Sequence, residues 1–191
     1  MHPASVLILP GWHNSGPQHW QSRWEAAHGY TRVQQHDWER PMRGDWQIQL
    51  EEAVLLCQEP AVLVAHSLGV ILVAAWAAYS RNTHRVKGAL LVAPGDVARE
   101  ETRALLPSWW PIERKTLPFP SILVASRDDN RCPFELAAGL ARDWGSEFVD
   151  AGHAGHLNAE SGLGDWPQGH ALLQRLMDLP PASTPVPTTH V

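Results

Sequence analysis

The sequence predicts an α/β protein in three layers, a mostly parallel sheet of about six strands with helices on both faces. Three observations lead there. Short aliphatic runs alternate with longer, more polar segments of helical composition along nearly the whole chain. The 191 residues are enough for one domain with a substantial core. Near the middle, a β-branched apolar run meets a long apolar run of helical composition across Ala65-His-Ser-Leu-Gly69.

Taken in order, residues 6–10 read as a buried strand ended by Gly11. Pro17 suits a first helical position, and Trp20, Trp24 and Ala27 follow at helical spacing. Residues 30–35 form a more polar strand, expected at a sheet edge. Residues 45–58 read as an amphipathic helix on Ile48, Leu50, Val54, Leu55 and Cys57, stopped by Pro60. A strand over 61–65 and a helix over 68–79 flank the central motif, and a strand over 86–93 follows. Residues 94–120 are rich in proline and tryptophan, carry no periodic pattern, and are expected to cover a site. A strand (121–125), a helix (134–144), a short strand (147–150) and a helix (169–179) complete the domain, 1–179. The Pro/Thr-rich tail, 180–191, is expected to lack fixed structure. Crossovers between the parallel strands are expected to be right-handed.

Composition excludes several function classes. A formal net charge of -5 gives no nucleic-acid footprint. Two cysteines, Cys57 and Cys132, make neither a disulfide scaffold nor a metal-ligand pattern. The apolar stretch at residues 6–9 is too short for a signal peptide and has no basic segment before it, so a cytoplasmic location is expected. Residues 60–79 contain no Asp, Glu, Lys or Arg and approach the length of a membrane span. His66, Ser67 and Gly69 interrupt them and no basic cluster adjoins, so a buried strand and helix are expected and no membrane. The oligomeric state is not set by the sequence.

The central motif carries the chemistry. Serine between a strand and a helix, with small residues two places either side, makes a nucleophile elbow, although Ala65 replaces the usual first glycine. The turn lifts the hydroxyl of Ser67 beside the positive end of the following helix. Serine needs a base, and the base needs an acid to orient it. In this architecture acid and then histidine follow the serine along the chain. Residues 126–133 match small-x-x-Asp-x-x-apolar-Pro with Asp129 as the acid, Asp128 second and Asp96 a distant third. The next strand ends in Asp150-Ala-Gly-His-Ala-Gly-His-Leu-Asn158, which offers His156 and His153. Asp150, His153 and His156 also have a spacing that suits a metal, but no further ligand is evident, and no cofactor is expected. After the first strand, the loop Leu9-Pro-Gly-Trp-His-Asn-Ser-Gly16 suits an oxyanion hole made by the Trp12 and Leu68 amides. His13 and His19 could line the pocket, and Trp109 and Trp110 could roof it, giving a short, aromatic-rimmed site, whereas Trp24 and Trp76 read as core.

Four segments together resemble the compact α/β hydrolases of the retinoblastoma-binding protein 9 family. They are residues 10–24, residues 65–69, Ser126-Arg-Asp-Asp129 and Gly155-His-Leu-Asn158. Bacterial members share a segment like Ala159-Glu-Ser-Gly-Leu-Gly-Asp-Trp-Pro167, and the resemblance extends to about Leu179. It implies Ser67 as nucleophile, Asp129 as acid and His156 as base, with small esters as substrates, some peptidase-like activity and no metal. It also implies a hydrolase sheet short of its first two strands and so of order 2-1-3-4-5-6. The alternatives are an amidase or a non-catalytic binding scaffold. The scaffold reading draws on Leu55-Leu-Cys-Gln-Glu59, which fits the Leu-x-Cys-x-Glu pattern of retinoblastoma-type pocket binding. A helix at that position would withhold the extended form such a peptide needs.

Overall fold

The computed structural model describes residues 5–180. Strands β1 (Ser5–Leu9), β3 (Ala61–Ser67), β4 (Val86–Pro94) and β5 (Ser121–Ala125) are almost wholly buried. The short strands β2 (Thr31–Arg32) and β6 (Glu147–Asp150) close the two edges. Every pairing is parallel, and the order is β2-β1-β3-β4-β5-β6, as expected. Burial on both faces explains why these strands read as continuous aliphatic runs.

The period-two alternation of a strand splits its residues between two cores. Leu7, Leu9, Leu63, Leu91 and Leu123 meet Trp46, Leu50 and Val54 of α2 (Arg43–Leu56). The same core holds Ile71 of α3 (Leu68–Ala77) and Leu140 and Trp144 of α5 (Phe134–Trp144). On the other face, Val6, Ile8, Val62, Val64 and Leu90 meet Trp20 and Trp24 of α1 (Trp20–His28) and Leu173 and Leu176 of α6 (Pro167–Met177). Residues 68–76 of α3 are all buried, which accounts for a helix without a single charge. Among the described residues, no helix is long and apolar enough to cross a membrane.

Several elements differ from expectation. α1 begins at Trp20 rather than Pro17, because extended His19 accepts the Gln21 amide and caps the helix there. The strand expected over 30–35 shrinks to two residues at the sheet edge, followed by one further bond from Val33 N–H to the Ile8 carbonyl. In α2 the buried row is Trp46, Leu50 and Val54 at i, i+4 and i+8, while Ile48 and Leu55 face solvent. The packed helix expected over residues 55–59 holds only in part: Leu55 is helical but faces solvent, and the helix ends at Leu56 with Cys57 as an extended cap. Residues 94–120 contain a short helix, α4 (Glu100–Leu105). It buries none of its residues, so no hydrophobic period marks it. The last helix starts two residues early, at Pro167, with proline at its first position. The tail beyond residue 180 lies outside the described residues.

Candidate active site

At the end of β3 the chain turns directly into α3, and Ser67 takes φ 53° and ψ -117°. A positive φ at a non-glycine residue is strained, and such strain persists only where packing holds it. The packing here is backbone against backbone. A side chain at Gly69 would run into the Leu9 and Pro10 carbonyl oxygens, so the first turn of α3 lies directly on the end of β1. A Cβ at Gly11 would stand 2.8 Å from that of Ser67. These two glycines let the β1 loop close on the serine.

His156 reaches Ser67 from the loop after β6, with Nε2 3.0 Å from Oγ. Its Nδ1 lies 3.0 and 2.9 Å from the two carboxylate oxygens of Asp129, on the loop after β5. Since a carboxylate only accepts, Nδ1 carries the proton and Nε2 is left to accept from the Ser67 hydroxyl. The two side chains are 9% and 3% exposed, so water competes little for this pair.

The rival candidates have other partners. Asp128 accepts from Ser126 Oγ (2.7 Å) and the Gly155 amide (2.9 Å), and these bonds hold its carboxyl below the usual range. It therefore ties the β5 loop to the β6 loop. Asp96 accepts the Ala98 and Arg99 amides. His153 is exposed. Trp109 and Trp110 do not line the cleft: Trp109 is fully buried against Trp46 and donates to the Pro41 carbonyl. Trp110 is 43% exposed beneath the Arg103 guanidinium. Composition marked this segment as aromatic but not which way its rings face.

Ser67 opens into a cleft of about 490 Å³, within the usual range for small-molecule sites. Trp12, His13, Asn14 and His19 line it from the β1 loop, and Val97, Arg99, Thr102 and Leu106 from the segment after β4. Trp12 is the one tryptophan on its wall among the described residues. Among the described residues, neither the Trp12 nor the Leu68 backbone N–H donates to a protein acceptor. The Trp12 loop is braced by its indole N–H on the Glu39 carbonyl and by the His13 amide on the Trp38 carbonyl.

Three supporting residues were missed from the sequence. His66 Nε2–H donates to the His156 carbonyl at 2.9 Å, which binds the histidine loop to the nucleophile strand. Burial, then the neighbouring His19 and His156, keeps the His66 imidazole neutral, with its pKa well below the ordinary value. Trp20 Nε1–H holds the next carbonyl, that of Leu157, at 2.8 Å. Gln21, fully buried, donates to the Leu9 and Val64 carbonyls, 3.1 Å each, and so spans β1 and β3. For His66 the available signal was a polar residue inside an apolar stretch, since burial obliges it to find partners, whereas Trp20 and Gln21 lie in a polar run that gave none.

Residues 6–175 match a family model described as serine hydrolase. A YdeN-like hydrolase from Pectobacterium atrosepticum is 29% identical, with a TM-score of 0.80 over 92% of this chain and 91% of the other. The ydeN gene product of Bacillus subtilis is 21% identical, TM-score 0.73, over 92% and 100%. Est1E from Butyrivibrio proteoclasticus, solved with ferulic acid, is 12% identical, TM-score 0.69, over 91% and 89%. No curated protein is similar in sequence to the chain. The family match reaches from β1 into α6, and on that extent the chain is a compact α/β hydrolase and belongs to the serine hydrolase family.

Proposed function

We propose that this protein hydrolyses small carboxylic esters through an acyl-enzyme intermediate, with Ser67 as nucleophile, His156 as base and Asp129 as the acid that orients it. One observation carries the reading: a single imidazole is within hydrogen-bond distance of the serine hydroxyl on one nitrogen and of a buried carboxylate on the other. Ser67 Oγ attacks the ester carbonyl and His156 Nε2 takes its proton. Asp129 holds the tautomer and stabilises the imidazolium. The Trp12 and Leu68 amides receive the oxyanion, each worth about 3–4 kcal/mol of barrier. His156 then gives the proton to the departing alkoxide. A water deprotonated by His156 attacks the acyl-serine, and as the second tetrahedral intermediate collapses His156 returns that proton to Ser67 Oγ, which releases the carboxylic acid.

Esterases that share the fold support the substrate class, among them Thermogutta terrifontis esterase 2, solved with butyrate and with propionate. The reading includes a cytoplasmic location, in keeping with the few cysteines of the chain. The test is intact mass after treatment with a fluorophosphonate, comparing wild type with Ser67→Ala. A single adduct on wild type, absent from the variant, is expected. A folded wild type that takes no adduct would sink the proposal and favour a binding scaffold. Matched esters and amides then separate esterase from amidase.

A further inference from the structure

His19 is 5% exposed and lines the cleft beside Ser67. Its Nδ1 accepts the Gln21 amide at 3.2 Å, so in the neutral ring the proton sits on Nε2. Burial above all, then the charges of Arg32 and His156, push its pKa down to about 4, so the ring is neutral near pH 7. That Nε2–H has no acceptor among the described residues. Buried donors almost always have a partner, and one lining a reaction cleft is free to take it from whatever enters.

The sheet order says which half of a substrate enters there. Ser67 ends β3, with β1 on one side and β4 on the other. The β1 side brings Trp12, Asn14 and His19, whereas on the β4 side Val97 and Leu106 are buried and apolar, with Asp96 and Thr102 half-buried and Arg99 and Glu101 exposed beside them. The His19 ring also packs on His66 (4.7 Å between centroids), and His66 packs on His156 (4.9 Å). The polar wall thus runs on to the group that protonates the leaving alkoxide.

We propose that His19 is a specificity residue, its Nε2–H taking an acceptor oxygen in the alcohol half of the ester. The acyl half lies against Val97 and Leu106. Esters of oxygen-bearing alcohols, of the glycol-ether or glycerol type, are then preferred over esters of hydrocarbon alcohols. This role rests on Ser67 being the nucleophile.

The experiment compares kcat/KM for 2-ethoxyethyl butanoate and pentyl butanoate, which have the same acyl group and alcohols of equal length. Acid release is measured for wild type and His19→Asn. Asparagine keeps a side-chain oxygen to cap the Gln21 amide but withdraws the ring N–H. A preference of about 10-fold for the ether ester is expected in wild type, falling to about twofold or less in the variant. Equal rates on the two esters in wild type, an unchanged ratio in His19→Asn, or a loss shared equally by both esters would each overturn the role. Inhibition of wild type by 2-ethoxyethanol against pentan-1-ol makes the comparison without a substitution, should the variant not fold. Fluorophosphonate labelling separates the two levels. Wild type that labels at Ser67 but does not discriminate the esters, or cleaves neither, loses only the His19 role. Wild type that does not label loses the hydrolase reading as well.

Discussion

At the scale of single residues, adjacent side chains of one kind have been given different tasks. Asp128 and Asp129 are neighbours, yet one ties two loops together and the other meets the imidazole. Asp129→Asn is therefore expected to lower kcat by about 10⁴-fold while leaving Tm nearly in place, as loss of the orienting carboxylate does in such triads. Asp128→Asn is expected to lower Tm with a far smaller loss of kcat. Thermal melts and steady-state rates on both variants check the pair. The sequence favoured this Asp-Asp turn over Asp96 because residues 126–133 match the small-x-x-Asp-x-x-apolar-Pro pattern. Partner choice was beyond it, since Ser126 and Gly155 approach Asp128 only after the loops fold together. The same holds for His66, whose acceptor lies 90 residues away.

The buried histidines set a pH dependence of stability. His19 has a folded pKa of about 4 against an ordinary 6.5, and that of His66 is also lowered. Between those values the unfolded chain binds more protons than the folded one, so stability rises with pH across the interval. It is fully present above about pH 6.5 and is lost as pH falls towards 4, by about 3 kcal/mol for His19 alone. Urea midpoints at pH 7 and pH 4.5 should differ in that direction, and a flat profile would contradict the burial argument.

At the scale of elements, the β1–α1 junction holds the cleft open and aligned. Consecutive residues cap α1 (His19), hold the Leu157 carbonyl (Trp20) and bridge β1 to β3 (Gln21). Gln21→Leu keeps the bulk and removes both bridges, and Ser15 loses its acceptor as well. A loss of about 1–3 kcal/mol is expected in urea denaturation, with slower fluorophosphonate labelling of Ser67. Strands β3, β4 and β5 were legible because a strand covered on both faces must be apolar at every position, which leaves an unbroken aliphatic run. The boundary of α1 was not, because Pro17 is an equally good first helical residue and only the capping bond at His19 decides. α4 left no trace, since a six-residue helix with no buried side chain has no stripe to read.

For the whole molecule, the segments between strands decide how much substrate is enclosed. A cleft of about 490 Å³ closed on one side by Val97 and Leu106 suits a short acyl chain. Among p-nitrophenyl esters, kcat/KM is expected to fall at least about 10-fold from butyrate to dodecanoate, and a rise with chain length would show that the β4 segment moves aside. At the site the rim differs from expectation: charged and aliphatic side chains stand where Trp109 and Trp110 were forecast. The alternation of elements made the three-layer plan legible in advance, and the resemblance to compact hydrolases implied the strand order that the sheet has.

Ser67 and His156 are 89 residues apart, and the carboxylate between them comes from a third strand. On the roles proposed for them, the serine of a growing chain emerges long before its base, and a chain cut short ahead of β6 is expected to carry an unreactive hydroxyl. Reactivity towards a fluorophosphonate is then expected to report the final docking of β6, with a truncated chain left unlabelled.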